Sequence, residues 1–496
     1  MLADFTVGTI DHLLLMGLKQ KHLFLRHLGL SNKVVIIDEV HAYDAYMNQY
    51  LYQAIEWLGA YHVPIVVLSA TLPKVKRNAL LQAYAKGKYG TKQLTGPSGW
   101  EATQAYPLLS LLDGKQVRQV TQFAEAGPRQ DVKVQRLTLE DNDLMAHVLK
   151  RLSGGGVAGL IVNTVKRAQA LADLVPAAEE VLILHSAFLA PDREKQEQRL
   201  QAVIGKQGKR PAKLIVIGTQ VLEQSLDIDF DVLYTDIAPM DLLLQRAGRL
   251  HRHQIKRPQA LQTPQLYVMG SQTTGQYGAA NEAIYEKYLL LRTDYFLNDT
   301  LKLPADISPL VQAVYDEAAP VEIPGIEKAL ENFNRHRCQE QRKAQAFQID
   351  EPDLDADATI LGWLERPQEE VANDDQKASA AVRDIQETLE VILIQQTAKG
   401  DVLLDGRPLS QAPDWEIAQQ VIRLPAAVTP VYQLDQTIAD LEKRTSRHYA
   451  AWRESVWLRG ALALPLNETL ETDLGNWHLS YATTTGLRYI KGEDYG

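Results

Sequence analysis

The chain predicts an α/β protein: two successive parallel sheets flanked by helices, then a small mixed α+β domain. Three observations carry this expectation. Short β-branched runs alternate with helical stretches, the pattern of a parallel sheet with crossover helices. Runs such as VVIID (34–38) and AKLIVIGT (212–219) are nearly continuous in apolar residues, as strands covered on both faces are. The length, 496 residues, holds roughly three domains at about 100–200 residues each.

In chain order, VVIID and PIVVLSAT (64–71) read as buried strands, with Tyr46–Leu58 as the amphipathic crossover helix between them. Gly96, Pro97 and Gly99 open a less regular stretch that reaches about Pro128. A second series then begins: DVKVQRLTL, VAGLIVN, EVLILHS, AKLIVIGT, DVLYTD and QLYVMG, separated by helices such as Asp192–Val203 and Met240–Ala247. These blocks divide the chain into 1–128, a first α/β domain, and 129–300, a second one. Residues 301–360 read as helical and then acidic, ending in the exposed linker IDEPDLDADA. Residues 361–496, with EVILIQQ, DVLLDG, WHLSYATTTG and LRYI, form the C-terminal domain.

Composition narrows the class. Hydrophobic content of 45% with 23% charged residues describes a globular protein with ample core. The single cysteine, Cys338 in RHRCQEQ, allows neither a disulfide framework nor a Cys-based metal site, which favours a reducing, cytoplasmic setting. No apolar run approaches 18 residues, and MLADFTVGT has no signal-like build, so no membrane partner is expected. The net charge of −10 argues against a nucleic-acid partner only as a global sum, because local channels can be basic. Arg246, Arg249, Arg252, Lys256 and Arg257 form one basic group; Arg193, Lys195, Lys206, Lys209 and Arg210 form another. Taken alone, each group reads as a solvated surface.

The chemistry concentrates at strand ends. Asp38 and Glu39 follow a buried strand, at the crevice where open α/β sheets bind ligands. Asp38 suits a Mg²⁺ bridging two phosphates, and Glu39 suits polarisation of an attacking water. Ser69 and Thr71 end the next strand; their hydroxyls can couple to the carboxylates and to His41, or simply cap the following helix. Gln245-Arg246-Ala247-Gly248-Arg249-Leu250-His251-Arg252 is far more specific. On a helix, Arg249 and Arg252 share a face, and the arginine fork matches phosphate oxygens. Thr219, after AKLIVI, is placed to bond a backbone phosphate, and Asp227 in Ser225-Leu226-Asp227 to touch a nucleotide ribose or Arg252.

VVIIDEVHAYD, SAT and GTQVLEQSLDIDFD followed by QRAGRLHR resemble, in this order, the second-half motifs of a superfamily-2 nucleic-acid helicase. Together with VGTID (7–11), GLIVNTVKRAQ (159–169), LHSAF (184–188) and the terminal YATTTGLRYI, they resemble the CRISPR-associated type I helicase-nuclease, the motor recruited by the Cascade surveillance complex. The resemblance is strongest at 7–73 and 159–253 and loose after 300. It implies tandem RecA-like parallel-sheet domains, the first incomplete, that use ATP and Mg²⁺ for 3′-to-5′ movement on single-stranded DNA.

Carried over residue by residue, it implies metal binding at Asp38 and Glu39, with His41 coupling, and γ-phosphate contacts from Arg249 and Arg252 beside Gln245. It further implies strand contacts near Thr9, Thr164, His185, Ser186 and Thr219, with Ala187 standing where the family usually has arginine. These 496 residues contain no G-x-x-x-x-G-K-[ST] phosphate loop and no His-Asp dipeptide. The expectation is therefore a C-terminal part or split-gene product, without nuclease metals and idle as an ATPase alone, with a separate N-terminal half as a partner. Two other readings stand beside it: another DEVH-class helicase acting on RNA, and a non-catalytic module binding DNA or Cascade.

Overall fold

The computed structural model describes residues 3–19, 23–40, 45–124, 129–223, 226–270, 275–353 and 388–492. His41, Ser225 and most of the acidic run from Asp355 onward lie outside the described residues. The chain divides into two compact units. The first comprises Met1–Asp131, Pro239–Asp241 and Tyr285–Ile385; the second comprises Val132–Ala238, Leu242–Ile284 and Gln386–Gly496. Packing thus groups the helical stretch after Tyr285 with the N-terminal residues, and the C-terminal domain with the second sheet.

In the first unit, β1 (Val35–Ile37) and β2 (Ile65–Val67) form a two-stranded parallel sheet with Ile36 opposite Val66. The crossover between them is the helix Ala45–Ala60, whose Tyr50, Leu51, Ala54 and Leu58 are wholly buried in one core with Val35 and Ile37. Helix Lys74–Tyr89 crosses this helix at close range. A Cβ on Gly59 would stand 2.5 Å from the Tyr84 carbonyl, and one on Gly87 would stand 1.8 Å from that of Glu56. Only glycine permits that approach.

The stretch after Gly99, read as irregular, holds a hairpin of β3 (Leu109–Asp113) and β4 (Gln116–Val120), turned at Gly114 with φ 61°. Its Asp-Gly dipeptide is the local signal for such a turn. Helix Ile326–Phe347 ends in a strap: the Lys19 amide donates to the Phe347 carbonyl and the Ile349 amide to that of Gly17.

The second unit holds β5 (Gln130–Leu137), β6 (Gly156–Ile161), β7 (Val181–Leu184), β8 (Lys213–Gly218), β9 (Val232–Asp236) and β10 (Gln265–Met269). They run parallel in the order β5-β10-β9-β6-β8-β7. Every residue of β6 and β9 is buried, as helices on both faces require.

The first unit also carries β11 (Thr300–Leu303). In the C-terminal part, β12 (Glu390–Thr397) pairs with β13 (Gly400–Val402), β14 (Val421–Arg423) and β15 (Leu462–Leu466), the last in parallel. An antiparallel sheet of β16 (Glu471–Leu474), β17 (Trp477–Ala482) and β18 (Gly486–Lys491) follows. These strands pack onto the second sheet's own helices. Gln169 donates to the carbonyls of Thr485 and Leu487, the Tyr481 hydroxyl donates to Asp192 at 2.7 Å, and Arg488 grips Asp173 through two bonds of 2.7 and 2.8 Å.

Candidate functional site

In the first unit, Asp38 and Glu39 stand exposed at the carboxyl end of β1. The Glu39 amide donates to Asp38 Oδ1 at 2.9 Å, and Glu39 itself holds φ 54°. For a non-glycine residue that left-handed conformation costs on the order of 1–3 kcal/mol and concentrates at functional sites. Thr71 is buried and Ser69 half-buried, and both line one cavity beside β2. The N-cap of the next helix is Pro73, so neither hydroxyl caps it. Thr9 is exposed at the start of helix Ile10–Leu14.

In the second unit, the strand order places three predicted positions along one sheet margin. Thr164 follows β6, Thr219 follows β8 and His185-Ser186 follow β7, and these strands are neighbours. Their states differ. Ser186 is exposed, Thr164 is half-buried with its hydroxyl accepting from the Arg167 amide at 3.2 Å, and Thr219 is buried. His185 has no exposed surface. Its ring stacks on Phe188 at 4.6 Å, its Nδ1 accepts from the Ala187 amide, and burial pushes its pKa down to about 4. A Cβ on Gly486 would come within 2.8 Å of that ring and 2.3 Å of the Ala187 carbonyl, so glycine at φ 70° lets the terminal hairpin close over it. In this arrangement His185 is a packing residue and offers no atom to a strand.

The arginines also depart from the helical picture. Helix Met240–Ala247 ends before Arg249, and Leu250 bridges to Phe230 while His251 takes φ 51°. Arg249 and Arg252 therefore do not share a helical face. Arg249 turns to the carbonyls of Leu226 and Glu223, the latter at 2.6 Å. The exposed Arg252 pairs through Nε with Asp227 Oδ1 at 2.7 Å. His253 reaches the same oxygen, and its hydrogen bond together with Arg252 holds Asp227 below the usual carboxylate range. Both motif arginines thus converge on the segment 223–227. Gln245 is half-buried on the same helix.

The solvated reading of the basic groups fails at three members. Arg246 is fully buried: it pairs with Glu223 and donates to Thr235 Oγ1 at 2.7 Å, the Asp236 carbonyl at 2.9 Å and Asn163 Oδ1 at 3.3 Å. Arg210 and Arg257 clamp the buried Asp229 and Asp231. A lone buried carboxylate is expensive, and two guanidiniums offset that cost. The alternating Asp229 and Asp231 within the apolar run of SLDIDFD were the available signal. Asn163 had none: its side-chain amide donates to the Ile237 carbonyl and to Asn281, both at 2.8 Å, tying the end of β6 to the end of β9 and to the short helix Ala279–Glu282.

Two family descriptions match this sequence: "CRISPR-associated nuclease/helicase Cas3, C-terminal" over residues 154–255 and "Cas3 C-terminal domain" over 383–487. A Streptococcus thermophilus CRISPR-associated nuclease/helicase Cas3 is 41% identical over 98% of this chain and 54% of its own. The sequence belongs to the Cas3 family.

Structural similarity agrees. The crystal structure of T. fusca Cas3-ATP superposes with a TM-score of 0.80 at 28% identity, covering 97% of this chain and 56% of that one. A chain of a CRISPR RNA-guided surveillance complex, pre-nicking, gives 0.74 at 26% identity over 98% and 60%. The chain spans about half the length of the relatives it matches. The α/β architecture is that of Cas3 helicases. Among the described residues no helix is long and apolar enough to cross a membrane.

Proposed function

We propose that this chain supplies the water-activating carboxylates and the phosphate-facing arginines of an ATP-driven, Cas3-type motor that moves 3′-to-5′ on single-stranded DNA marked by a Cascade complex. The observation that carries the reading is Arg252. An exposed guanidinium is held in place by Asp227, next to a residue in left-handed backbone, in a loop whose other arginine is anchored by carbonyls. That is a preset cation for developing phosphoryl charge. The related T. fusca protein was crystallised as Cas3-ATP, which supports nucleotide use here.

The first unit fits Mg²⁺. That ion takes one or two carboxylates and keeps its waters, so the exposed Asp38 with Glu39 is a sufficient donor set although no larger acidic cluster exists among the described residues. When bound, Mg²⁺ would neutralise phosphate charge. Glu39 would orient and deprotonate the attacking water, and Ser69 and Thr71 would relay changes at β1 to the rest of the unit, with His41 as a further link. Asp227 would release Arg252 toward phosphate or contact the ribose. Thr9, Thr164, Ser186 and Thr219 would meet the DNA backbone, with His185 supporting their margin from within.

Arg252→Ala in a motor completed with the remaining part of a Cas3 relative should lower ATP turnover on the order of 10³-fold, with nucleotide binding changed far less. Near-normal turnover would overturn the assignment. Residues 1–496 alone, which carry no phosphate loop, should show no DNA-stimulated ATPase; turnover abolished by Glu39→Gln would reveal another phosphate site. Stimulation by RNA over DNA would favour an RNA helicase instead. DNA binding without any nucleotide binding, even in the completed motor, would favour a passive module.

A further inference from the structure

The C-terminal domain holds an aromatic ring out in water. Helix Leu434–His448 buries Leu441, and the turn after it buries Trp452 and Leu458. Between those two anchors Val456 and Trp457 are 90% and 65% exposed. Their turn is fixed from within. The Ser455 hydroxyl accepts from the amides of Trp457 and Leu458 at 3.2 and 3.3 Å, and the Arg459 amide donates to the Ser455 carbonyl at 3.2 Å. An exposed indole on a fixed turn is informative, because few side chains could remove as much area from water on meeting a partner.

Cations surround it. Residues 443–459 hold Lys443, Arg444, Arg447, Arg453 and Arg459 against one carboxylate, Glu454, in a chain of net charge −10. Arg453 donates to Ser446 Oγ at 3.0 Å, and Arg459 Nε donates to the Arg453 carbonyl at 3.3 Å. Those bonds tie the turn to the end of the helix, where Lys443, Ser446 and Arg447 share one exposed face. Arg444 is half-buried and donates to the Asp473 carbonyl. Among the described residues none of these cations is paired with a carboxylate, whereas the exposed Arg199, Arg407 and Arg423 of the same unit all are.

The combination selects the partner. Charge alone would fit any acidic surface, and an indole alone any apolar one. A single strand of nucleic acid supplies both from every nucleotide: a flat base for the ring and a phosphate for a guanidinium fork. We propose that Trp457, flanked by Arg447, Arg453 and Arg459, is a docking point for single-stranded DNA, separate from the motif residues at the strand ends. One base stacks on the indole and the neighbouring phosphates meet the arginines. Stacking and phosphate contact read no sequence, and neither needs ATP, so the strand is held here in every nucleotide state. The choice of DNA rests on the motor reading; the site itself does not.

The test titrates the whole 496-residue chain with an oligothymidylate in the absence of ATP and follows hydrogen exchange at residues 453–459. Protection of that turn is expected. The concentration giving half of it should rise roughly tenfold in Trp457→Ala and in Trp457→Leu, which keeps apolar bulk without a ring, and much less in Trp457→Phe. Arg453→Ala and Arg459→Ala should each lower the slope of log affinity against log salt by about 0.7, the value for one phosphate contact on a single strand. All these positions are exposed, so the melting transition should stay unchanged. The inference is overturned if the turn gains no protection, or if Trp457→Leu performs as well as Trp457→Phe, which marks an apolar surface for a protein. Stronger protection by oligouridylate than by oligothymidylate overturns the choice of DNA. No ATP turnover enters the readout, so failure of the motor reading and failure of this site are separable.

Discussion

The two parallel sheets of this chain share strand chemistry and differ in cover. β6 and β9 of the second unit lie among neighbours on both sides and are buried along their whole length. β1 shows a buried-exposed-buried alternation with isoleucine on the outside. An exposed isoleucine in a parallel strand contributes little, because the apolar area it could remove from water stays wet. The same residue type therefore carries very different weight in the two units.

Three comparisons sharpen this contrast, from the largest expected effect to the smallest. Arg246→Met should destabilise the second unit by about 3–5 kcal/mol, because it strands the buried Glu223 without its partner. Arg118→Ala, removing a pair with Asp113 in which both side chains are 64% exposed, should cost under about 1 kcal/mol in the first unit. Denaturant midpoints of the two variants check this, and equal losses would break the contrast. Ile217→Ala in β8, a fully buried position, should cost about 2–5 kcal/mol, whereas Ile36→Ala in β1 should stay within about 0.5 kcal/mol. Hydrogen exchange resolved by region reads both.

Acid offers the mildest test, and here the two units should behave alike. Burial pushes His27 of the first unit and His185 of the second down to about 4. The unfolded chain takes up these protons near the ordinary value of about 6.5, so between about pH 6.5 and 4 it binds protons that the folded chain does not. Stability is then fully present above pH 6.5 and falls as the pH drops through that window, by at most on the order of 3 kcal/mol per histidine. His27 donates through Nε2 to the Met16 carbonyl at 3.0 Å and accepts from the Tyr61 hydroxyl at 2.8 Å. His185→Gln should flatten the pH dependence of exchange in the second unit alone; an unchanged slope would remove His185 as its source.

The α/β class, the strands β1, β2 and β5 to β10 and helix Met240–Ala247 were legible in the sequence because apolar periodicity and β-branching report burial directly, whereas β11 falls where the stretch from 301 reads as helical. The hairpin Leu109–Val120 was not read, although Asp113-Gly114 signals its turn, because the residues around it mix polar and apolar types without a dominant pattern. The motif positions at strand ends were legible as residues, not as states. Nothing in LHSAF indicates that the histidine is enclosed while the serine beside it is exposed; the terminal hairpin, some 300 residues later, decides that.

Local chemistry therefore determined what can be computed from neighbours in the chain: which runs become strands, where carboxylates and arginines sit relative to strand ends, and that no phosphate loop is present in these residues. Tertiary structure alone decided which charges face inward. Arg246, Arg249 and Arg252 belong to one eight-residue motif, yet one is buried against Glu223, one is tied to carbonyls and one stands exposed beside Asp227. The physical reason is that a guanidinium's place depends on which acceptors the fold brings within reach, and Glu223, its carbonyl and Asp227 lie more than 20 residues away along the chain from the arginines they hold.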